Sequence, residues 1–109
     1  MDIRLYMLQR ITALIMAPLT LGHIAVMIYA AQGGLSAAEI LGRTQGSSMW
    51  FLFYGTFVVA VSIHAAIGVR VIVSETFKVV GFGLDAFAWL ICLSMLIMGG
   101  RAVLAVTLL

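Results

Sequence analysis

Three apolar runs, each long enough to cross a lipid bilayer, take up most of this 109-residue chain. They extend from about residue 5 to 31, 49 to 73 and 85 to 108, against the roughly 20 residues that a membrane helix needs. Hydrophobic residues make up 64% of the chain and charged residues 9%, with a mean hydropathy of +1.22. A soluble chain this short has too little interior to bury so much apolar surface, so lipid must act as its solvent. Backbone groups in hydrocarbon must bond within their own helix or around a closed barrel, and the chain is far too short for a barrel. The expected fold class is therefore an all-α membrane protein with three transmembrane helices, forming one domain over residues 1–109.

The connections carry signals of their own. "GGLSAAEILGRTQGSS" opens with flexible glycines and then sets Ser36 and Glu39 at capping-box spacing, which predicts one short surface helix. "SETFKVVGFGLD" is polar at its start and glycine-rich at its end, which predicts a tight turn between antiparallel helices. Pro18 lacks an amide donor and crowds the preceding turn, so the first span should bend slightly there. Asp2 and Arg4 precede an apolar run too long for a signal-peptide core, with no small-residue cleavage site at a suitable distance, so the first span should be retained. Arg4, Arg10, Arg70 and Lys78 fall at one end of the spans, Arg43 at the other, and Arg101 inside the third. By the positive-inside rule the N-terminus is cytoplasmic and the C-terminus external.

Several chemistries are excluded. A net charge of +2 does not support a nucleic-acid footprint, and a single cysteine, Cys92, precludes an internal disulfide. There is no Cys/His cluster at metal-site spacing, no phosphate-binding glycine loop before a lysine, and no pair of buried carboxylates to act as acid and base. All four acids fall at span ends or in connections, which also weakens proton-coupled transport, since such transporters usually place a carboxylate in the membrane.

An ionisable side chain inside a membrane span is costly unless it has a partner, a cavity or an interface. Arg10 and Arg70 lie near helix ends, where snorkelling accounts for them; His23 and His64 lie deeper. Ala60 and Gly68 stand one helical turn either side of His64, so one face of the second span presents small, imidazole, small. Two readings fit that stripe. Small residues let another helix approach closely, and equally they clear space for a porphyrin whose iron the histidine would bind. His23 and His64 are offset from the middles of antiparallel spans by distances adding to roughly 12 Å, so they should not ligate one iron together. His23 is then either a hydrogen-bonded structural histidine or the ligand of a different haem, with the second axial ligand from another subunit.

"LQRIT", with His23 thirteen positions after Arg10, and "IHAAIGVRVIVSE", a His-x3-Gly-Val-Arg pattern ending in an acid, resemble the cytochrome b membrane-anchor subunits of succinate dehydrogenase and fumarate reductase. In that family the first helix opens with Ser-x-x-His-Arg-x-Ser/Thr-Gly, and the second carries His-x3-Gly-Ile/Val-Arg followed by an acid. The resemblance implies that His64 is the axial ligand of haem b. It implies that Arg10, with Gln9 and Tyr6, helps to bind quinone, and it makes His23 the candidate ligand of a second haem. Arg70 and Arg10 become the nearest cations for haem propionates, and Ala60 and Gly68 the clearance around the macrocycle. The chain departs from the pattern at Gln9, where the family usually has histidine, at Tyr6 for serine, at Ala13 for glycine and at Glu75 for aspartate.

The implied function is a membrane anchor that passes electrons between a peripheral flavoprotein and iron–sulfur module and a membrane quinone. The dicarboxylate chemistry would lie on another chain. A second small hydrophobic anchor subunit would complete a larger helical bundle in a bacterial or archaeal cytoplasmic membrane. Two other classes compete: a small membrane transporter, which usually needs an intramembrane acid and a fourth span, and a cofactor-free assembly subunit packing through Gly55, Gly68 and Gly99–Gly100.

Overall fold

The computed structural model describes residues 3–34 and 36–107. They form α1 (Ile3–Gly33), α2 (Ala37–Thr44), α3 (Ser48–Phe77) and α4 (Phe82–Thr107). The three long helices are the three apolar spans, and no strand occurs among the described residues. At about 1.5 Å per residue α1 is roughly 46 Å long, close to the 48 Å long axis of the molecule. Each helix therefore outlasts a hydrocarbon core of about 30 Å and carries its ends into the headgroup layers.

The spans run slightly beyond their expected bounds, apart from the third, whose expected end at 108 lies outside the described residues. The second continues through Ser74, Glu75 and Thr76 to Phe77, because those residues are helix-compatible in polar surroundings. It stops where Lys78 enters the left-handed region at φ 57°. Gly81, at φ 110°, completes the short turn that the glycines predicted, since a side chain is strained there. α1 passes through Pro18 without interruption, leaving the Leu14 carbonyl without its helical donor.

The short helix also forms where the capping spacing put it. The Ser36 hydroxyl accepts the Glu39 amide at 3.2 Å, but the Glu39 carboxylate does not return to Ser36. It fills the space that a side chain would need at Gly34, whose φ is 125°. The far end of α2 closes α4: the Thr44 hydroxyl donates to the Val106 carbonyl at 2.6 Å and the Gly46 amide to the Thr107 carbonyl at 2.7 Å. Two carbonyls that the end of a helix leaves without intrahelical donors are thereby satisfied.

α3 lies between α1 and α4, antiparallel to both, and these flank it rather than packing on each other. Gln9 and Thr12 of α1 meet His64 and Gly68 of α3, while Gly22 meets Phe53 further along. On the other side Gly99 of α4 sits against Val58, where an added Cβ would come within 2.6 Å of a valine methyl. Gly55 and Gly100, named with them as packing surfaces, have open space beside them. The buried apolar residues among those described lie on α3 (Ala60, Ala66 and Ile67) and α4 (Leu84 and Val103). Elsewhere the helices turn large side chains outward, among them Leu14, Leu21, Trp89 and Met98, as lipid or further helices require.

Candidate functional site around His64

α1 and α3 present their polar side chains to each other at one level. Thr12 is the only buried residue of α1 among those described, at 3% exposure, and its Oγ1 lies 3.2 Å from His64 Nδ1. That hydroxyl donates its hydrogen to the Gln9 carbonyl one turn back at 2.9 Å. A threonine has one O–H, so toward His64 it acts as acceptor, and the proton of the imidazole belongs on Nδ1. Nε2 is left with its lone pair. Among the described residues Nε2 has no partner and is not sealed inside the chain.

Gln9 completes the arrangement by donating its side-chain Nε2 to the His64 carbonyl at 3.2 Å. Gly68 lies beside it: an added Cβ there would be in ordinary contact with the same amide nitrogen, at 3.5 Å. Ala60, at 4% exposure, is buried on the same face of α3. α1 therefore runs beside the stripe at its Gly68 end. Oε1 of Gln9 is buried without a partner.

The remaining sequence candidates separate into three places. Tyr6 and Arg10 share an exposed face of α1, the guanidinium 5.8 Å from the phenol ring centroid. Arg70 turns toward α4 and grips Asp85, with Nε donating to Oδ1 at 2.9 Å and a terminal nitrogen 2.8 Å from the same oxygen. His23 stands eleven residues further along α1 than Thr12, so the two imidazoles are about 16 Å apart along the bundle. It sits in an aromatic nest, edge-on to Tyr54 at 5.7 Å and tilted against Phe57 at 5.5 Å, with Trp50 stacked on Tyr54 behind them. Its Nδ1 is buried and unpaired.

Two residues of this geometry are absent from the sequence-based site. Thr12 carried a faint signal, since it follows Arg10 at the Ser/Thr position of the first-helix pattern. Asp85 carried another, an acid opening a span immediately after one that ends near an arginine.

The fold and the site define a class: a three-span helical membrane subunit that holds an imidazole in its seam and leaves most of its apolar surface for lipid or neighbouring chains. A profile of the succinate dehydrogenase/fumarate reductase transmembrane subunit family matches residues 1–106, and the chain belongs to that family. It is an integral membrane protein and a membrane subunit of such a multi-subunit complex. No curated protein and no solved structure matches the chain.

Proposed function

We propose that this chain holds haem b through His64 Nε2 and forms one wall of a quinone site, within a complex that moves electrons between a peripheral flavin and iron–sulfur module and membrane quinone. The observation that carries the reading is the contact of His64 Nδ1 with the Thr12 hydroxyl at 3.2 Å. A histidine that ligates iron or zinc almost always donates its other ring N–H to a nearby acceptor, which fixes the ring and raises the basicity of the ligating nitrogen. Thr12 is that acceptor here. Among the described residues no three metal-ligating side chains converge. His64 would hold the iron from this chain, and the second anchor subunit would supply a further ligand. When bound, haem b supplies a one-electron relay whose potential follows its axial ligands and their surroundings.

The other residues take their roles from position. Arg10 and Tyr6 stand together near the N-terminal end of α1, offering a quinone carbonyl a cation and a phenol donor. Gln9, with its amide on His64, contributes Oε1 as an acceptor for a quinol hydroxyl. Arg70 is occupied by Asp85, so Arg10 is the cation we assign to a propionate or to quinone. Arg4, Arg10, Arg70 and Lys78 share one end of the bundle, which we place on the cytoplasmic side of a bacterial or archaeal cytoplasmic membrane. The flavoprotein and iron–sulfur subunits would dock at that end.

The orphaned Nδ1 of His23 supports a second assignment. A buried polar atom without a partner costs about 1–3 kcal/mol, and a neighbouring subunit that accepted an Nδ1–H would remove that cost while freeing Nε2 for a second haem. The central test is a reduced-minus-oxidised visible spectrum of the assembled complex. Haem b bands present in wild type and lost in His64→Ala are expected; bands that persist in the variant overturn the assignment.

A further inference from the structure

We propose that Thr12 is a positioning residue that sets the tautomer of His64 and, through it, the reduction potential of the iron. The inference rests on the haem reading above and deepens it, giving the residue beside Nδ1 a measurable effect on the iron. Three observations converge on it. Thr12 is nearly inaccessible, at 3% exposure, so lipid or water does not replace it beside the ring. Its hydrogen is committed to the Gln9 carbonyl at 2.9 Å, leaving its lone pairs for His64 Nδ1 at 3.2 Å. The Gln9 amide in turn binds the His64 carbonyl at 3.2 Å, beside Gly68.

The result is a closed circuit across the α1–α3 seam: imidazole N–H to hydroxyl, hydroxyl to the Gln9 carbonyl, Gln9 amide to the His64 carbonyl. Each member holds the next in register, and donors in series polarise one another. Pulling on the Nδ1 proton enriches Nε2 in electron density, which favours ferric over ferrous iron. Without the hydroxyl, the Nδ1–H is buried with no acceptor. The ring then gains by moving its proton to Nε2, the atom that must bind iron.

The test uses the assembled complex with Thr12→Val, which keeps the branched shape without an acceptor, and Thr12→Ser, which keeps the hydroxyl. Haem b is titrated potentiometrically, and the low-spin ferric electron paramagnetic resonance signal reports the ligand field. In Thr12→Val the ferric preference should fall roughly tenfold, a rise of ~59 mV for a one-electron couple, with a displaced ferric signal or outright loss of haem. Thr12→Ser should stay near wild type in both readouts.

Equal behaviour of the two variants, whether both unchanged or both impaired, overturns the role of Thr12 while leaving His64 as ligand. Haem that survives His64→Ala, or a wild-type complex with no haem, overturns the reading on which the inference stands, and the inference with it.

Discussion

Gly99 is a point in the α3–α4 contact where a single methyl group would collide with a neighbouring helix. A Cβ at this position would lie 2.6 Å from Cγ1 of Val58, 3.1 Å from Cγ2 and 3.4 Å from Cβ. Relief needs a displacement of about 0.8 Å to reach the near limit of ordinary contact at 3.4 Å. Valine in a helix is held to one rotamer, so the side chain cannot swing aside and α4 must shift instead. Overpacking of this kind costs typically 1–3 kcal/mol. Gly55→Ala, with nothing within 4 Å, should by contrast be neutral or gain up to roughly 1 kcal/mol, since alanine is the better helix former. Gly22→Ala should fall between, because the contact is with the Phe53 ring at 3.1 Å and a ring can tilt. Unfolding in mixed micelles by increasing denaturing detergent, followed by circular dichroism or by loss of subunit association, would rank the three. Val58→Ala should rescue Gly99→Ala, giving a coupling energy of about 1 kcal/mol or more in a double-mutant cycle. Equal stability of Gly99→Ala and Gly55→Ala, or no rescue, would refute the reasoning.

Arg10→Ala should impair quinone turnover of the complex well beyond transfer to an artificial dye that draws electrons from the peripheral module; equal losses would detach Arg10 from the quinone site. Arg70→Ala or Asp85→Asn should lower stability by only about 0.2–1 kcal/mol, because the pair is partly exposed to solvent or headgroups, and high salt should shrink the difference further. Haem counted per complex should fall in His23→Ala if His23 serves a second macrocycle, and an unchanged count would leave the imidazole as packing for Tyr54 and Phe57.

Span number and helix type were legible because hydrocarbon permits so few alternatives, and an imidazole deep in such a span draws attention through its cost alone. Thr12 could not be singled out that way. A threonine in a membrane helix routinely satisfies its hydroxyl on a carbonyl one turn back, as this one does on Gln9, so nothing local marks it as special. Its second bond exists only once α1 and α3 are in register. The partner of Arg70 was hidden for the same reason. Near the end of a span it reads equally as a snorkelling cation or a propionate partner, and the choice of Asp85 depends on how tightly Lys78 and Gly81 reverse the chain. Gly68 is the reverse case: its smallness was legible, but whether it clears space for a helix or for a flat ligand depends on which side α1 approaches. Gln9 lies beside it at one end of the stripe.

The two histidines differ in a way that neither depth nor neighbours in sequence reveal. His64 finds its hydrogen-bond partners within the chain: the Thr12 hydroxyl beside Nδ1 and the Gln9 amide on its carbonyl. His23 has aromatic walls but no acceptor. A buried ring nitrogen in that condition costs about 1–3 kcal/mol, which an acceptor on a neighbouring chain would remove. On the haem reading proposed above, this asymmetry makes His64 the histidine prepared by this chain alone and His23 the one that needs a neighbour. A complex assembled with a partner that lacks an acceptor near Tyr54 and Phe57 should therefore keep the haem at His64 while leaving His23 without a metal to bind.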